Sequence, residues 1–531
     1  MLTTTTVTIV ILYILSGLFD YADFLYWWQL KEYRVDKFKD FLSTKQGKFF
    51  WMRYSIVLQI GAGIIALLWP FNDIVTVKYF LLAILISNVT YGLFLLAHKE
   101  VKRPTITTKV IALFSIAMAF ELIILYITND WVYAFLLLMI RIFTISVLVY
   151  IVEFPTRWIK HYVIYLATKK LKKYSTLKVV GITGSYGKST VKEFLAHILE
   201  VKYNVISTPK NINTEIGVAL FILKGDFSQK DVFIVEMGAY KINDIHILCD
   251  MVKPTYGILT SINEQHLSLF GTIQNTQKAK YELLRSLPKE GVAITNSDNP
   301  YCREFLSEIS AKVETFGLHE EYEPTLLISN IDEDSKKKTI SCSNTINGKT
   351  FDYVTNLPGR HNTKNIAACM LLAHHFDLTH EEVQQQITTL TLPEKTLQIF
   401  EYGTCTVIDD SRNSNPDGFK GALDVLASYP SSRQRIVITR GMHELGLRSA
   451  ALHEEVGGEI DFVADVLVLI NGNFTEDLKR GMTGKYKTDI LLKYELKELL
   501  DYVQSIKESG AVILIESKIP IMVYKELKGL S

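Results

Sequence analysis

The sequence predicts an α-helical membrane domain followed by α/β domains. Several apolar runs of roughly 20 residues precede residue 155, and each is long enough to cross a bilayer as a helix. After residue 176, short β-rich runs alternate with helical patterns, which indicates a doubly wound α/β sheet. At about 100–200 residues per domain, a chain of 531 residues suggests three or so units.

The charge distribution agrees with this division. Residues 1–178 hold 20 Lys and Arg against 10 Asp and Glu, a net charge of +10, and the remainder holds 37 against 46, a net charge of −9. A basic excess in an apolar region is typical of a membrane domain with charged loops, so no nucleic-acid partner is expected. The five cysteines form no CxxC pair, which predicts reduced thiols in a cytosolic domain and no cysteine-based zinc site.

Five membrane spans are predicted, with approximate bounds 5–28, 54–71, 77–97, 110–128 and 131–152. Asp20 and Asp23 make the first span the least typical of the five. A cleavable signal peptide is not expected, because the N-terminus has no basic region and further apolar runs follow.

The loops between these spans predict their orientation. Segments 31–53 and 98–109 carry seven and four basic residues, whereas the turns at Asn72-Asp73 and Asn129-Asp130 carry none. The positive-inside rule places the two basic segments in the cytoplasm and both turns outside. The sequence therefore predicts a multi-pass protein of the cell membrane whose catalytic domains are cytoplasmic.

Two charged residues lie inside the last two spans. Glu121 and Arg141 flank the turn near Asn129-Asp130 at depths of about 13 and 16 Å, so we expect the two side chains to meet. A buried arginine needs a partner in the bilayer. The pair could lock the helical hairpin, or it could form a polar site for a lipid-linked headgroup or another subunit.

The domain boundaries follow from these patterns. We expect a membrane domain at 1–153, a basic juxtamembrane linker at 154–176, a central domain at 177–392 and a C-terminal domain at 393–531. The linker mixes lysine and arginine with Trp158, Tyr162 and Tyr165, which resembles an interfacial helix on an anionic leaflet; a plain charged linker is the alternative.

A glycine-rich segment near the start of the α/β region is the sharpest functional signal. It runs from Gly181 to Thr190, follows a predicted strand and opens a predicted helix. Backbone N–H groups of such a loop and the helix N-terminus bind phosphate, Lys188 can reach the β/γ-phosphates, and Ser189 can ligate Mg²⁺. The core from Gly184 to Ser189, Gly-x-x-Gly-Lys-Ser, is tighter than the usual GxxxxGK[ST] spacing.

Three further residues are candidates for the same chemistry. Glu236 ends a buried strand and suits a second Mg²⁺ contact, although a strand-end salt bridge is the alternative. His266 follows a third strand and is either a ligand or a structural histidine. Lys280, taken alone, reads as a surface lysine on a helix.

Together these residues resemble the Mur ligase family of ATP-dependent amide-forming enzymes, over about residues 178–520. The phosphate loop matches the family's short spacing, and Gly359–Asn365 resembles its GxHNxxN segment. Segments 409–416, 440–446 and 211–217 resemble the branch that adds D-alanyl-D-alanine. The resemblance implies a P-loop central domain and a Rossmann-like C-terminal domain.

The resemblance also implies roles for individual residues. Glu236 and His266 would hold Mg²⁺ with Ser189, and Lys280 would be carbamylated; with Lys188 they form the expected catalytic set. The expected contacts to ATP are Gly184, Ser185, Tyr186, Gly187, Lys188, Ser189, Thr190, His361, Asn362, Asn365 and Asp410. The expected contacts to substrate are Asn211, Asn213, Arg412, Asn413 and Asn415.

The family reaction has two steps, formation of an acyl phosphate from a carboxylate and ATP, then displacement of phosphate by an amine. We therefore expect a membrane-anchored ligase that adds an amino acid or dipeptide to a UDP-linked or polyprenyl-linked cell-wall precursor. A poly-amino-acid capsule synthase, or a nucleotide-dependent membrane scaffold or transport component, is the alternative.

The chain departs from the D-alanyl-D-alanine branch at four places. Membrane spans replace the soluble N-terminal domain that holds the UDP moiety. Arg412 stands in place of a tyrosine, Arg440-Gly441 in place of Gly-Asp, and Glu516-Ser-Lys518 in place of a Lys-Gly-Ser-Arg stretch.

Overall fold

The computed structural model divides into two compact units, Met1–His161 and Tyr162–Ser531. It describes residues 4–31, 33–43, 45–68, 73–98, 101–210, 212–334, 339–346, 348–412, 414–484 and 488–530.

The first unit is helical throughout its described secondary structure. Its helices are α1 (Thr4–Leu30), α2 (Val35–Ser43), α3 (Lys45–Trp51), α4 (Tyr54–Leu68), α5 (Ile74–Ala97), α6 (Thr108–Thr128) and the larger part of α7 (Val132–Leu171), whose last ten residues belong to the second unit. Within the described residues, α1, α5, α6 and α7 are long and apolar enough to cross a membrane. The second predicted span corresponds to α4, whose 15 described residues extend about 22 Å, shorter than a hydrocarbon core of about 30 Å.

Local capping explains where the long helices begin and end. The Asp73 side chain accepts a hydrogen bond from the Thr76 N–H at the start of α5, and Thr107 caps α6 in the same way through Val110. Asn129 adopts a left-handed conformation that ends α6 just before the hairpin turn.

The segment predicted as a linker is helical over most of its length. Helix α7 continues through Pro155 to Leu171, so most of the basic segment is helical, in line with the expected interfacial helix rather than a plain charged linker. Ala167 and Leu171, at the end of the helix, are buried in the hydrophobic core of the second unit. Apolar burial at these positions holds the end of the helix in place, which the basic composition alone did not reveal.

The expected meeting of Glu121 and Arg141 is confirmed, and a third charged residue joins them. Arg141 Nη2 lies 3.0 Å from Glu121 Oε2, and Arg141 Nη1 lies 2.8 Å from Asp20 Oδ2. Arg141 also donates to Ser16 Oγ at 2.9 Å, and Tyr21 donates to Glu121. Asp20, which made the first span atypical, is thus a partner of the buried arginine.

The second unit contains two sheets. Its strands are β1 (Lys178–Thr183), β2 (Val205–Ser207), β3 (Val232–Glu236), β4 (Tyr256–Leu259), β5 (Val292–Asn296), β6 (Lys312–Gly317), β7 (Leu326–Asp334), β8 (Thr339–Ile346), β9 (Lys349–Thr355), β10 (Gln398–Tyr402), β11 (Cys405–Asp410), β12 (Arg435–Thr439), β13 (Val466–Leu469), β14 (Asp489–Leu492) and β15 (Val512–Glu516). The described strands pair in the orders β2-β3-β1-β4-β5-β6-β7-β8-β9 and β10-β11-β15-β12-β13-β14.

Both sheets are mainly parallel, as the alternation of strands and helices predicts. In the first sheet, strands β2 to β7 pair in parallel, whereas β8 and β9 form an antiparallel extension that the sequence pattern did not reveal. In the second sheet only the edge strand β10 is antiparallel.

Helices connect and cover these sheets. They are α8 (Lys188–Leu199), α9 (Glu215–Lys224), α10 (Asp244–Val252), α11 (Leu267–Phe270), α12 (Ile273–Arg285), α13 (Pro300–Arg303), α14 (Asn362–His374), α15 (His380–Thr389), α16 (Pro416–Ala427), α17 (Ser449–Val463), α18 (Thr475–Gly481), α19 (Leu496–Ser505) and α20 (Ile521–Leu527). Val191, Leu195 and Ile198, which follow one another at intervals of four and three residues, are all buried on α8. The carboxyl ends of β1, β3 and β4 lead into the candidate site, as ligand sites in open α/β sheets do.

Candidate active site

The phosphate loop has the predicted strand–loop–helix context. Strand β1 ends at Thr183, and α8 begins at Lys188. Gly187 adopts a φ of +82°, and a Cβ atom there would lie 2.6 Å from Asn365 Oδ1. Glycine is therefore required at this position both by the backbone conformation and by the close approach of Asn365. Thr190 is buried in the first turn of α8, directly after the loop.

Contacts across the loop fix its shape. The Ser185 N–H donates to Ser261 O at 2.7 Å, and the Asn263 N–H donates to Ser185 Oγ at 3.0 Å. Thr260 donates its hydroxyl to the Tyr186 carbonyl. The segment after β4 thus holds the loop from one side, and the backbone geometry of an anion site is present before any ligand binds.

Lys188 folds back over the loop. Its Nζ donates to the Gly184 carbonyl at 2.5 Å. Burial lowers the pKa of Lys188 from its usual value; Glu236 opposes the shift and Arg412 adds to it. A partly buried lysine held by backbone carbonyls is ready to exchange these contacts for the stronger ones that phosphate oxygens offer.

Glu236 ends β3 beside the loop and is almost fully buried. Its Oε2 accepts the Ser189 hydroxyl at 2.8 Å, and its Oε1 accepts the Asn213 amide N–H at 3.0 Å. Lys192 Nζ lies 3.5 Å from Oε2. Burial alone would raise the pKa of Glu236, but Lys188 and Lys192 with the two hydrogen bonds bring it below its usual value. Glu236 is therefore a carboxylate. It forms both the salt bridge that the alternative reading expected, with Lys192, and a hydrogen bond with Ser189.

Lys280 lies on α12 and is not a surface lysine. Its side chain is 2% exposed, and Nζ donates to the Gly184 carbonyl at 3.0 Å. Burial, reinforced by the charge of Lys188, lowers the pKa of Lys280 well below its usual value. Within the described part of the chain no carboxylate forms an ion pair with it. These surroundings disfavour the charged ammonium form of Lys280.

His266 is bound to a residue that the sequence did not single out. Its Nδ1 contacts the Glu444 carboxylate, and its ring packs against Tyr240. Burial lowers the pKa of His266, whereas Glu444 raises it, and the charges of Lys280 and Lys188 lower it further. Hydrogen bonds bring Lys188, Glu236 and Lys280 to the phosphate loop, and His266 lies on the segment after β4 that holds the loop from one side.

The GxHNxxN segment also reaches the phosphate loop. His361 Nε2 lies 2.9 Å from the Tyr186 hydroxyl, and burial lowers the pKa of His361 to about 4. Asn362 donates to the Pro358 carbonyl at 2.7 Å, and Asn365 donates to Asn362 Oδ1 at 2.9 Å. The amide chain places Asn365 directly against Gly187.

The C-terminal domain contributes side chains to the same place. Arg412 Nη2 donates to Ser189 Oγ at 3.2 Å. Asn263 Nδ2 donates to Asn415 Oδ1 at 3.2 Å and to Asp417 Oδ2 at 2.7 Å. Predicted substrate residues from both domains are therefore brought together at the phosphate loop. Asn211 and Asn413 lie outside the described residues.

Asp410 and Glu516 form a buried acidic pair at the ends of neighbouring strands. Parallel pairing of β11 with β15 sets Asp410 opposite Glu516, and both are at most 3% exposed. Burial, with a contribution from Asp409, raises the pKa of Asp410 to about 7, and burial and Asp410 raise that of Glu516 well above its usual value. The Leu397 N–H donates to Asp410 Oδ1 at 3.2 Å, so Asp410 also fixes the segment that enters β10.

A cavity of about 330 Å³ lies beside Arg412 in the C-terminal domain. Lys395, Arg412 and Lys518 line it with Tyr524, and no acidic side chain is among its lining residues. Such a cavity favours an anionic group.

Three contact residues, Glu444, Asn263 and Asp417, escaped the sequence analysis. Glu444 lies within, and Asp417 beside, a segment that resembles the family. Their charge next to a family motif was the one sequence feature that could have marked them as site residues. Nothing in the sequence alone pairs Glu444 with His266, 178 residues away.

Comparison with known families decides the relationship. The family model of the Mur ligase middle domain matches residues 182–373, and that of the Mur ligase glutamate ligase domain matches residues 397–519. The UDP-N-acetylmuramoyl-tripeptide–D-alanyl-D-alanine ligase of Haemophilus influenzae is 31% identical over 329 residues, which cover 60% of this chain and 69% of that enzyme.

The chain belongs to the Mur ligase family. The ligase of the same name from Bacillus subtilis is 25% identical over 356 residues, covering 66% of this chain and 75% of that enzyme. The prediction of an ATP-dependent carbon–nitrogen ligase is confirmed, and so is the resemblance to the D-alanyl-D-alanine branch.

Solved structures agree on the fold of this Mur ligase. The MurF ligase from Thermotoga maritima in complex with ADP has a TM-score of 0.62 at 24% identity, covering 70% of this chain and 82% of that one. A pseudomurein peptide ligase type C from Methanothermus fervidus has a TM-score of 0.54 at 18% identity, covering 67% and 79%. The predicted α/β fold of the central and C-terminal domains is confirmed.

Proposed function

We propose that this Mur ligase is anchored in the cell membrane and adds an amino acid or dipeptide to a peptidoglycan precursor through an acyl phosphate. The single observation that supports this most strongly is the convergence of Lys188, Glu236 and Lys280 on one phosphate loop, with His266 on the segment that holds the loop from one side. A scaffold that only binds nucleotide has no need of a buried carboxylate and a second buried amine there.

The residues of the loop account for the first step by charge and position. The acceptor carboxylate attacks the γ-phosphorus of ATP, and ADP leaves. Lys188, released from the Gly184 carbonyl, would neutralise charge that develops on the phosphoryl oxygens. Arg412, already 3.2 Å from Ser189 Oγ, would supply a second cation from the C-terminal domain.

The donor set suits a magnesium ion next to the loop. The Ser189 hydroxyl and the Glu236 carboxylate lie 2.8 Å apart and are both hard oxygen donors, which Mg²⁺ prefers. Bound there, Mg²⁺ would supply further charge neutralisation for the phosphates. His266 offers a nitrogen and is held by Glu444, and the described residues contain no group of three or more His, Cys, Asp or Glu placed to hold a metal.

Lys280 is proposed to be carbamylated. Burial disfavours the ammonium form of Lys280, and the amine would add CO₂ with release of a proton to give a carboxylate-like group with oxygen ligands. With such a group, a second metal would be held between His266 and Lys280. The exposed Lys278 on the same helix gives a matched control for any substitution of Lys280.

The second step needs an amine held beside the acyl phosphate. The cation-lined cavity beside Arg412 would bind the carboxylate end of an amino acid or dipeptide, which leaves the amine free to attack. The two bacterial relatives are named as enzymes that use a UDP-N-acetylmuramoyl-tripeptide and D-alanyl-D-alanine. A UDP-linked or polyprenyl-linked peptide is therefore the proposed acceptor.

The helices of the first unit are proposed to span the membrane with the N-terminus outside. Support comes from the long apolar helices, the basic loops and the buried position of Arg141. The five native cysteines all lie in the second unit and are buried, so a thiol reagent should label mainly a cysteine introduced into the first unit. We expect a cysteine at Asp130 to react from outside intact cells and one at Arg103 only after permeabilisation; the reverse pattern would refute the topology.

The proposed domain boundaries, 177–392 and 393–531, can be tested by limited proteolysis. The reaction itself is tested by incubating the full chain with ATP, Mg²⁺, a UDP-linked or polyprenyl-linked tripeptide, and D-alanyl-D-alanine or single amino acids. A product whose mass equals acceptor plus amine minus water supports the proposal. Hydrolysis of ATP without any such product would leave no support for a ligase on these acceptors.

A further inference from the structure

A cavity of about 440 Å³ lies inside the first unit, between α1, α5 and the start of α4. The volume falls in the range of about 300–1,000 Å³ that is usual for small-molecule sites. Phe19, Phe24 and Tyr91 form aromatic walls. Asn88 and Asp20 lie at its deep end, nine and ten residues from the cytoplasmic ends of α5 and α1, which places both about 14–15 Å below those ends.

The two ends of the cavity carry opposite charge. Arg53 and Lys102 lie at the predicted cytoplasmic end, where Asp23 forms an ion pair with Arg53 and leaves one net positive charge. At the deep end the cavity is lined by the carboxyl group of Asp20, and Arg141, which contacts Asp20, is shared with Glu121 outside the lining. A ligand that fits must be anionic at the cytoplasmic end and must offer hydrogen-bond donors at the deep end.

The groups at both ends are held in place. Asp20 Oδ2 accepts Gln59 Nε2 at 2.7 Å and Asn88 Nδ2 at 3.1 Å, so the deep end keeps its geometry without a ligand. The Arg53 guanidinium packs over the rings of Trp27 and Phe50 at 5.5 and 5.2 Å. A fixed guanidinium retains further N–H donors suited to phosphate oxygens.

We propose that this cavity binds the sugar-phosphate part of the acceptor. The phosphate would contact Arg53 and Lys102, the sugar hydroxyls would donate to Asp20 and contact Asn88, and the aromatic walls would pack on the apolar faces of the ring. The inference rests on the proposed function, because it assigns to the membrane domain the recognition of the acceptor's diphosphate sugar.

Two sources share this chemistry, a sugar on a polyprenyl diphosphate and a sugar on a nucleoside diphosphate. Binding is measured with the full chain in detergent, without ATP or amine, to two probes: a C15 polyprenyl-diphosphate N-acetylglucosamine and UDP-N-acetylglucosamine. Phosphatidylethanolamine, which carries a phosphate and an ammonium donor, serves as the competitor.

The matched variants are Lys102→Ala in the lining and Arg103→Ala at the exposed neighbouring residue. We expect at least one probe to bind, Lys102→Ala to weaken that binding about tenfold, and Arg103→Ala to change it less than about twofold. Leu95→Trp fills the cavity and should abolish binding, with thermal unfolding confirming that each variant is folded. The probe that binds identifies the source.

Three results would overturn the inference. They are no binding of either probe, equal binding by Lys102→Ala and the wild type, and complete displacement by equimolar phosphatidylethanolamine. The outcome is separable from that of the proposed function. A chain that binds a probe but forms no amide contradicts the ligase proposal alone, whereas a ligase that acts equally well in Lys102→Ala and Leu95→Trp contradicts only the cavity assignment.

Discussion

The single substitution Arg141→Leu should destabilise the first unit more than variants in which Arg141 and its acidic partners are replaced together. In the wild type this arginine is the one cation in contact with two buried carboxyl groups, Glu121 and Asp20, among the described residues. Its removal strands both of them in an apolar environment. Breaking a buried ion pair from one side costs about 3–5 kcal/mol, and we expect Arg141→Leu to lower the free energy of unfolding by that order.

Substituting the acidic partners as well should restore the lost stability stepwise. The double variant Glu121→Leu/Arg141→Leu still strands Asp20, which keeps only Gln59 and Asn88 as neutral donors, so it should recover part of the stability. Adding Asp20→Asn removes the last formal charge and should recover more. The coupling energy between Arg141 and Glu121 is expected to be about 1–3 kcal/mol.

The assay is unfolding by SDS in lipid bicelles, followed by the loss of helical circular dichroism. Arg157→Leu, an exposed arginine on the same helix, is the control and should leave the unfolding midpoint nearly unchanged. Strictly additive losses in the double variant, or equal losses for Arg141→Leu and Arg157→Leu, would show that the buried charges are not coupled.

Three predictions concern the second unit. Lys188→Ala should lower ATP-dependent phosphate release about a hundredfold or more while circular dichroism stays unchanged; release at the wild-type rate would exclude its role in the phosphate loop. Lys280→Ala should be nearly inactive and partly rescued by short-chain carboxylates, with Lys278→Ala as the active control; a lack of rescue combined with a free ammonium in an active nucleotide-bound crystal would exclude carbamylation. Asp410 has a folded-state pKa raised to about 7, so the stability it contributes is present below the unfolded value of about 3.8 and is lost as pH rises through 7. Asp410→Asn, measured by urea unfolding from pH 4 to 8, should therefore lose less stability with rising pH than the wild type, and parallel curves would contradict the raised pKa.

Much of the fold follows from local patterns in the sequence. Strands such as Tyr256–Leu259 and Arg435–Thr439 coincide with short β-rich runs of the sequence, because such runs followed by turn residues specify buried parallel strands. The antiparallel strands β8 and β9 were missed, since polar residues interrupt the apolar pattern at Ser343 and Asp352. The burial of Ala167 and Leu171 near the end of α7 depends on tertiary packing, which a local pattern does not report.

The sequence predicted the motifs of the candidate site, but not which side chains contact one another there. The loop glycines and Lys188 are recognisable because backbone conformation and phosphate chemistry restrict them to few residue types. The contact of His266 with Glu444 spans the central and C-terminal segments, and the burial of Lys280 depends on how α12 packs against β1 and β4. Lys280 shows this limit most clearly, because its position on a helix suggested a surface residue.

The most direct test of the central claim is the fate of the acceptor oxygen. An acceptor peptide with an ¹⁸O-labelled carboxylate is incubated with the full chain, ATP, Mg²⁺ and the amine that gives a product by mass. If the carboxylate attacks the γ-phosphorus of ATP and the amine then displaces phosphate, one ¹⁸O atom must appear in the released phosphate for each amide formed. We predict this transfer in the wild type and its loss, together with the amide, in Lys188→Ala. Amide formation with unlabelled phosphate would contradict the acyl-phosphate mechanism proposed for this Mur ligase.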